Sequence, residues 1–221
     1  MPTQSRRIDM IRAMTPEEYA EAWEYNAKQH FDDGDYEWIC DQIQQLQWEK
    51  PVKRILEVGC GVGYSTLIFI LRDFDVISID ANEAAIEKTK STIEGYDYSP
   101  EEDLKLIEAD VVHNFKRIYE ALQEAPVDLI VLCNPGGNLS KELTIPEKKW
   151  LSIKTNTPLL LIQRDVQNEI VNSLRRIGED GSVRLIKYCL RQINKAPDLG
   201  IPLSNESNDD IWWGMGLYFP A

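Results

Sequence analysis

The chain reads as an α/β protein. Helices flank a seven-stranded, mostly parallel sheet in three layers, the last strand runs antiparallel, and further helices precede the sheet. Three observations point there. Short apolar runs alternate with amphipathic stretches from residue 54 onward, the pattern of parallel strands joined by helical crossovers. The first of these junctions carries Gly59, Gly61 and Gly63 between an apolar run and Thr66–Leu71. The last two apolar runs have no helical stretch between them, so they pair antiparallel.

The elements follow in order. Met1 to about Arg12 is a loose arm. Thr15-Pro-Glu-Glu18 is a helix start: Thr15 caps, Pro16 suits the first turn and Glu18 closes a capping box. The helix runs to about Gln29 and carries Tyr19, Trp23 and Tyr25. Gly34 separates it from a second helix with Ile39, Ile43 and Leu46 at helical spacing, which Pro51 ends. Residues 1–50 are thus an N-terminal arm and helical cap, and residues 51–221 the main domain. Strands are expected at Arg54–Val58, Asp75–Ile79, Leu104–Glu108, Val127–Leu132, Pro158–Ile162, Val183–Tyr188 and Trp212–Phe219. Helices are expected from Asn82 to Lys90 and from Asn168 to Ile177, the latter closed by Gly178.

Composition narrows the function. A hydrophobic content of 43% suffices for a sizeable core, and the net charge is -13. That balance argues against a partner gripped through its phosphates, which calls for a basic face. No apolar run approaches the ~20 residues of a membrane helix, and the N-terminus shows no secretory signal. Cys40, Cys60, Cys133 and Cys189 form no CxxC pair. Reduced thiols in a cytoplasmic protein are expected, with Cys60 and Cys133 packed in a core.

A strand, a glycine turn and a helix make a small-molecule cradle. Glycine lets the backbone turn sharply and lets a ligand approach, and the helix N–H groups face the ligand. A dinucleotide fingerprint would place its last glycine at position 64, which is Tyr64. The pattern is instead Glu57-x-Gly59-x-Gly61-x-Gly63. It resembles the first motif of the class I, Rossmann-like, seven-strand S-adenosylmethionine-dependent methyltransferases. The resemblance covers roughly Arg54 to the C-terminus. It implies that Glu57 helps bind the cationic methionine end of S-adenosyl-L-methionine and that the glycines pass its methionyl and ribosyl part, with Cys60 and Tyr64 beside them.

Asp80, at the end of the second strand, can accept two hydrogen bonds from a ribose diol, with Ala81 next to it. The alternative for Asp80 is a helix cap, a task better suited to Asn82. The resemblance places Asp110 near the adenine amine and Val111 against its ring; the plainer reading of Asp110 is a turn or cap residue. Cys133-Asn134-Pro135-Gly136-Gly137 closes the fourth strand, beside the first. It is similar to the Asn-Pro-Pro-aromatic motif of amino-group methyltransferases, but Gly136 and Gly137 stand where the second proline and the aromatic would be. Asn134 is the candidate for both the cofactor site and catalysis. His30 is a candidate general base, or else a surface histidine. Asn134 and Asp165 are too poor in carboxylates for a magnesium site, so no metal is expected.

The favoured expectation is methyl transfer to a small molecule or peptide, with residues 138–157 and 194–210 as variable substrate-side loops. The longer of these, carrying Leu199, Ile201 and Leu203, is read as a substrate lid. The alternatives are a nicotinamide-dependent oxidoreductase on a related fold and a non-catalytic cofactor-binding scaffold.

Overall fold

The computed structural model describes residues 15–46, 48, 50–100, 104–110, 113–134, 145–192 and 211–221. Helix α1 (Pro16–Asp32) opens with the expected capping box. The Thr15 hydroxyl accepts the Glu18 amide at 3.2 Å, and the Glu18 carboxylate accepts the Thr15 amide at 2.8 Å. Gly34, with φ 71°, turns the chain into α2 (Asp35–Gln45).

Strands and helices then alternate: β1 (Arg54–Val58), α3 (Tyr64–Leu71), β2 (Asp75–Asp80), α4 (Glu83–Glu94), β3 (Leu104–Glu108), α5 (Phe115–Glu124), β4 (Leu129–Asn134), α6 (Ile145–Thr155), β5 (Leu159–Val166) and α7 (Gln167–Ile177). The last two strands are β6 (Val183–Gln192) and β7 (Ile211–Pro220). The seven strands are ordered β3-β2-β1-β4-β5-β7-β6. The pairs β1–β2, β2–β3, β1–β4 and β4–β5 are parallel, while β7 runs antiparallel to both β5 and β6. This is the expected three-layer α/β arrangement.

Several boundaries differ from the sequence reading: the first helix reaches Asp32, the helix after Asn82 reaches Glu94, and β4 spans Leu129–Asn134. β5 continues through Gln163–Val166, and β6 through Gln192, because each has a β7 partner along that length. Cross-strand hydrogen bonds hold polar residues in a strand where apolar patterning stops. α6 lies in the stretch expected to be a loop. The segment 194–210, read as a lid, lies outside the described residues; Gln192 and Trp212, on either side of it, are paired across the ladder.

Two cores sandwich the sheet. On one side α2, α3 and the stripe Ala20 and Ala27 of α1 pack on Ile55, Val131, Leu160 and Met215. On the other, Ile118 and Leu122 of α5 and Ile170, Leu174 and Ile177 of α7 pack on Leu56, Ile77, Ile130 and Leu161. The N-terminal helices therefore share a core with the sheet. Cys60 is buried, as expected, and the side chain of Cys133 lies outside the described residues. Among the described residues no helix is long and apolar enough to cross a membrane.

β1 and β4 are neighbours, and the strand order reverses direction at β1. A crevice opens at such a switch point, outside the carboxyl ends of the strands, and ligands bind there. The glycine turn lies at that place.

Candidate functional site

The glycine loop is strapped from two sides. The amides of Gly59 and Cys60 both donate to the Ile79 carbonyl, at 2.8 and 3.1 Å. The Gly61 amide donates to Asp80 Oδ2 at 2.9 Å. From α4, Thr89 Oγ1 donates to the Gly61 carbonyl at 3.0 Å and Thr92 Oγ1 to that of Val62 at 2.8 Å. Thr89 and Thr92 went unread in the sequence; the available signal was a pair of hydroxyls three apart on the helix after Asp80.

Two glycines in the loop do different work. Gly61 sits at φ 58°, and a Cβ there would meet nothing within 4 Å. Its face is open space, which fits a ligand passing over the loop. Gly63 sits at φ 88°, and a Cβ there would lie 2.9 Å from the Thr89 Cα. Gly63 is needed for the approach of α4. α3 begins at Tyr64 with no side-chain cap bond from Gly63. The first amides of a helix have no intrahelical partner, so this turn offers donors and the positive end of the helix dipole.

Asp80 is half-buried at the mouth of this cradle. Its Oδ1 accepts the Asn82 amide at 2.9 Å, so each carboxylate oxygen holds one backbone amide and keeps capacity for another donor. Burial pushes its pKa up, against the lowering effect of the Asn82 and Gly61 amides. The cap of α4 is Asn82, which accepts from Ala84 at 2.9 Å and Ala85 at 3.3 Å, so Asp80 is not spent on capping. Ala81 beside it is exposed.

Glu57 differs from its expected placement. It is 0% exposed, and its carboxylate accepts hydrogen bonds from Ser65, Thr66 and Ser78, the last at 2.8 Å. A carboxylate with no exposed surface and three hydroxyl partners does not reach a ligand lying on the loop. It ties β1 to the first turn of α3 and to β2. Burial raises its pKa, and the three hydroxyls oppose that rise. Cys60 and Tyr64 also turn inward. Cys60 Sγ is 3.7 Å from Thr89 Oγ1, and the Tyr64 ring packs 5.4 Å from that of Phe31. What these two present toward the cradle is backbone.

Asp110 follows β3. Its Oδ1 accepts the His113 amide at 3.0 Å, Oδ2 is 3.1 Å from His113 Nδ1, and its own amide donates to Asn114 Oδ1. That is the turn-residue geometry the plainer reading anticipated. Val111 lies outside the described residues. Asn134 is the last residue of β4, paired with Gln163, and its side chain lies outside the described residues.

His30 needs correction as a candidate base. It is 3% exposed, and its Nδ1 is 2.8 Å from Asp35 Oδ2. Asp35, equally buried, also meets Arg191 Nε at 3.1 Å. Neither an accessible base nor a surface histidine fits. Side-chain packing between α1, α2 and β6 produces this buried cluster, and Arg191 is too distant in the chain to be read beside His30. Among the described residues no group of His, Cys, Asp or Glu is placed to hold a metal ion.

The chain is similar to several known proteins. Residues 38–144 match the model of the protein-L-isoaspartate(D-aspartate) O-methyltransferase family. A probable cobalt-precorrin-6B C(15)-methyltransferase (decarboxylating) from Methanobrevibacter smithii is 29% identical over 128 residues, 58% of this chain. The chain spans 64% of that relative's length. The methyltransferase domain of bacterial CtHen1-C superposes with a TM-score of 0.59 at 12% identity, covering 86% of this chain and 100% of that one. TYW2 of M. jannaschii, solved with AdoMet, superposes with a TM-score of 0.52 at 13% identity, covering 84% of this chain and 76% of that one. In strand order the chain has the seven-strand, Rossmann-like α/β fold of these methyltransferase structures, and over residues 38–144 its sequence is similar to the matched methyltransferase family.

Proposed function

We propose that the protein is an S-adenosylmethionine-dependent methyltransferase that acts on a small molecule or peptide. The observation that carries this is the pairing of Gly61 with Asp80. An open glycine face and a half-buried carboxylate stand together at the switch point, joined by the 2.9 Å bond from the Gly61 amide. S-adenosyl-L-methionine, when bound, supplies a methyl group on a sulfonium that a nucleophile attacks in line.

The chain's own residues bind and orient. Asp80 accepts the ribose hydroxyls with the lone pairs its amide partners leave. Gly61 gives room for the ribose and methionyl part. The first turn of α3 offers amides, and Asp110 stands at the adenine end. Asn134, at the end of β4 next to β1, faces the acceptor atom. No acid or base is compulsory when the acceptor is already an unprotonated amine or a thiolate.

The substrate class rests on two supports. The relatives matched by sequence are named for a protein isoaspartate and a cobalt-precorrin. The charge of -13 disfavours a phosphate backbone. A cytoplasmic location is part of this proposal.

A thermal-shift series tests the cofactor. S-adenosylmethionine should raise the melting temperature, because a ligand stabilises only the state it binds. NAD should not. The reverse result would favour the oxidoreductase reading. Asp80→Ala is expected to weaken cofactor binding by about 1.5–3 kcal/mol, the scale of hydrogen bonds to a charged group. Asp80→Asn should lose less. The ionised form is the better acceptor and its pKa is raised, so wild-type affinity should begin to fall on acidification before an ordinary aspartate protonates. Isothermal titration across pH checks this; affinity independent of both substitutions would remove Asp80 from the site. Asn134→Ala should lower turnover far more than cofactor affinity. Equal losses would place Asn134 at the cofactor instead.

A further inference from the structure

The cofactor of the proposed reaction carries an ammonium at its methionine end, and an ammonium taken from water needs acceptors. The family resemblance gives that task to Glu57, whose carboxylate is buried and occupied by Ser65, Thr66 and Ser78. Unused acceptors lie on α1. Asn26 Oδ1 and Gln29 Oε1 are shut off from solvent and have no hydrogen-bond partner among the described residues. Asn26 as a whole is 9% exposed. Leaving such a group unpaired costs about 1–3 kcal/mol, and a ligand donor can offset that cost.

Helix geometry shows where this pair faces. Ala20 and Ala27 bury in the core cluster that also holds Val62 and Tyr64, with Trp23 and Phe31 packed against it. Glu24 pairs with Lys88 of α4 on one flank of that stripe. At about 100° per residue, Asn26 falls on the other flank, next to His30, and Gln29 lies farther round, away from the stripe. His30 leads through Asp35 to Arg191, near the carboxyl end of β6. β6 is parallel to β5, since both run antiparallel to β7, so this is the ligand-binding edge of the sheet. The charge of the region agrees with a cation: Pro16 to Gln45 holds nine acidic residues and one lysine.

We propose that Asn26, assisted by Gln29, receives the ammonium group of the cofactor's methionine end, a role that rests on the methyltransferase reading above. His30, Asp35 and Arg191 are positioning residues for it, since they hold the C-terminal turn of α1 against β6.

Two ligands test the assignment. S-adenosylhomocysteine carries the ammonium; methylthioadenosine has the same nucleoside but lacks it. Isothermal titration of both into wild type and Asn26→Leu should show S-adenosylhomocysteine weakened about tenfold or more, with methylthioadenosine within about twofold. The melting temperature of the unliganded variant should hold or rise, because a buried amide oxygen without a partner among the described residues gives way to an apolar side chain of similar size. Asn26→Asp, which keeps an acceptor, should retain S-adenosylhomocysteine. Asn26→Ala gives the same readout should leucine not be accommodated. Undiminished affinity for S-adenosylhomocysteine, or equal loss of both ligands, overturns the assignment while leaving the methyltransferase reading in place. Wild-type protein that binds neither ligand overturns both.

Discussion

Gly63→Ala is expected to destabilise the fold, whereas Gly61→Ala folds and loses the cofactor. At position 63 two costs add. The left-handed φ of 88° strains any L side chain, by roughly 1–2 kcal/mol. The new Cβ would also stand 2.9 Å from the backbone Cα of Thr89. A flexible side chain could move away; a helix backbone moves only by shifting α4, and overpacking of that kind adds about 1–3 kcal/mol. The sum, about 3 kcal/mol, is a large part of an ordinary domain's stability. At position 61 only the strain term applies, because nothing lies within 4 Å of the Cβ position. The methyl group would occupy the ligand's path instead. Thermal melts should separate the two variants by several degrees, and titration with S-adenosylmethionine should find little binding by Gly61→Ala. Similar melting temperatures together with retained binding in Gly61→Ala would show that the two glycines have no division of labour.

Glu57→Ala should cost about 3 kcal/mol, because it leaves the hydroxyls of Ser65, Thr66 and Ser78 without their shared acceptor and opens a cavity beneath the loop. Thr66 and Ser78 are 3.3 Å apart and can recover one bond with each other, which caps the loss. For a chain of this length that corresponds to a drop of roughly 6–12 °C. Glu57→Gln should cost less, and its relative effect should depend on pH. Burial raises the folded-state pKa of Glu57 above the ordinary carboxylate value. The native state then holds this proton more tightly than the unfolded chain. The corresponding stability is present in full below the unfolded pKa and is lost as pH rises through the folded one. Glutamine has no proton to lose, so the melting temperature of Glu57→Gln relative to wild type should improve from acid toward neutral pH. A flat difference would mean that the carboxylate is ionised at no net cost.

Much of this was legible locally. Thr15, Pro16 and Glu18 announce a helix start over a few residues, and Asn82 announces another, so both caps were readable. β1, β2 and β4 are apolar runs buried along most of their length, and their patterning marks them; β3, at the sheet edge, keeps only Leu104 and Ile107 buried. Asp80 is readable because a strand end and a glycine loop bracket it. What stayed hidden depends on residues far apart in the chain. Gln163 to Val166 are strand only because β7 lies alongside. Pro146 suits the first turn of α6, yet the stretch has no apolar periodicity to mark it. Arg191 reaches Asp35 from the far end of the chain, and no local pattern carries that pairing. The burial of Glu57 depends on Ser78, twenty-one residues on, arriving from the adjacent strand. A carboxylate ahead of glycines reads as a ligand until its hydroxyl partners are in place.

A crystal structure of the full chain with S-adenosylhomocysteine tests the central claim most directly. The account predicts the ribose hydroxyls within hydrogen-bonding distance of Asp80, the ligand running over Gly61, and the sulfur beside the ends of β1 and β4. A cofactor bound away from the Gly61–Asp80 pair, or a crystal that takes up NAD at this cradle and no S-adenosylhomocysteine, would contradict it.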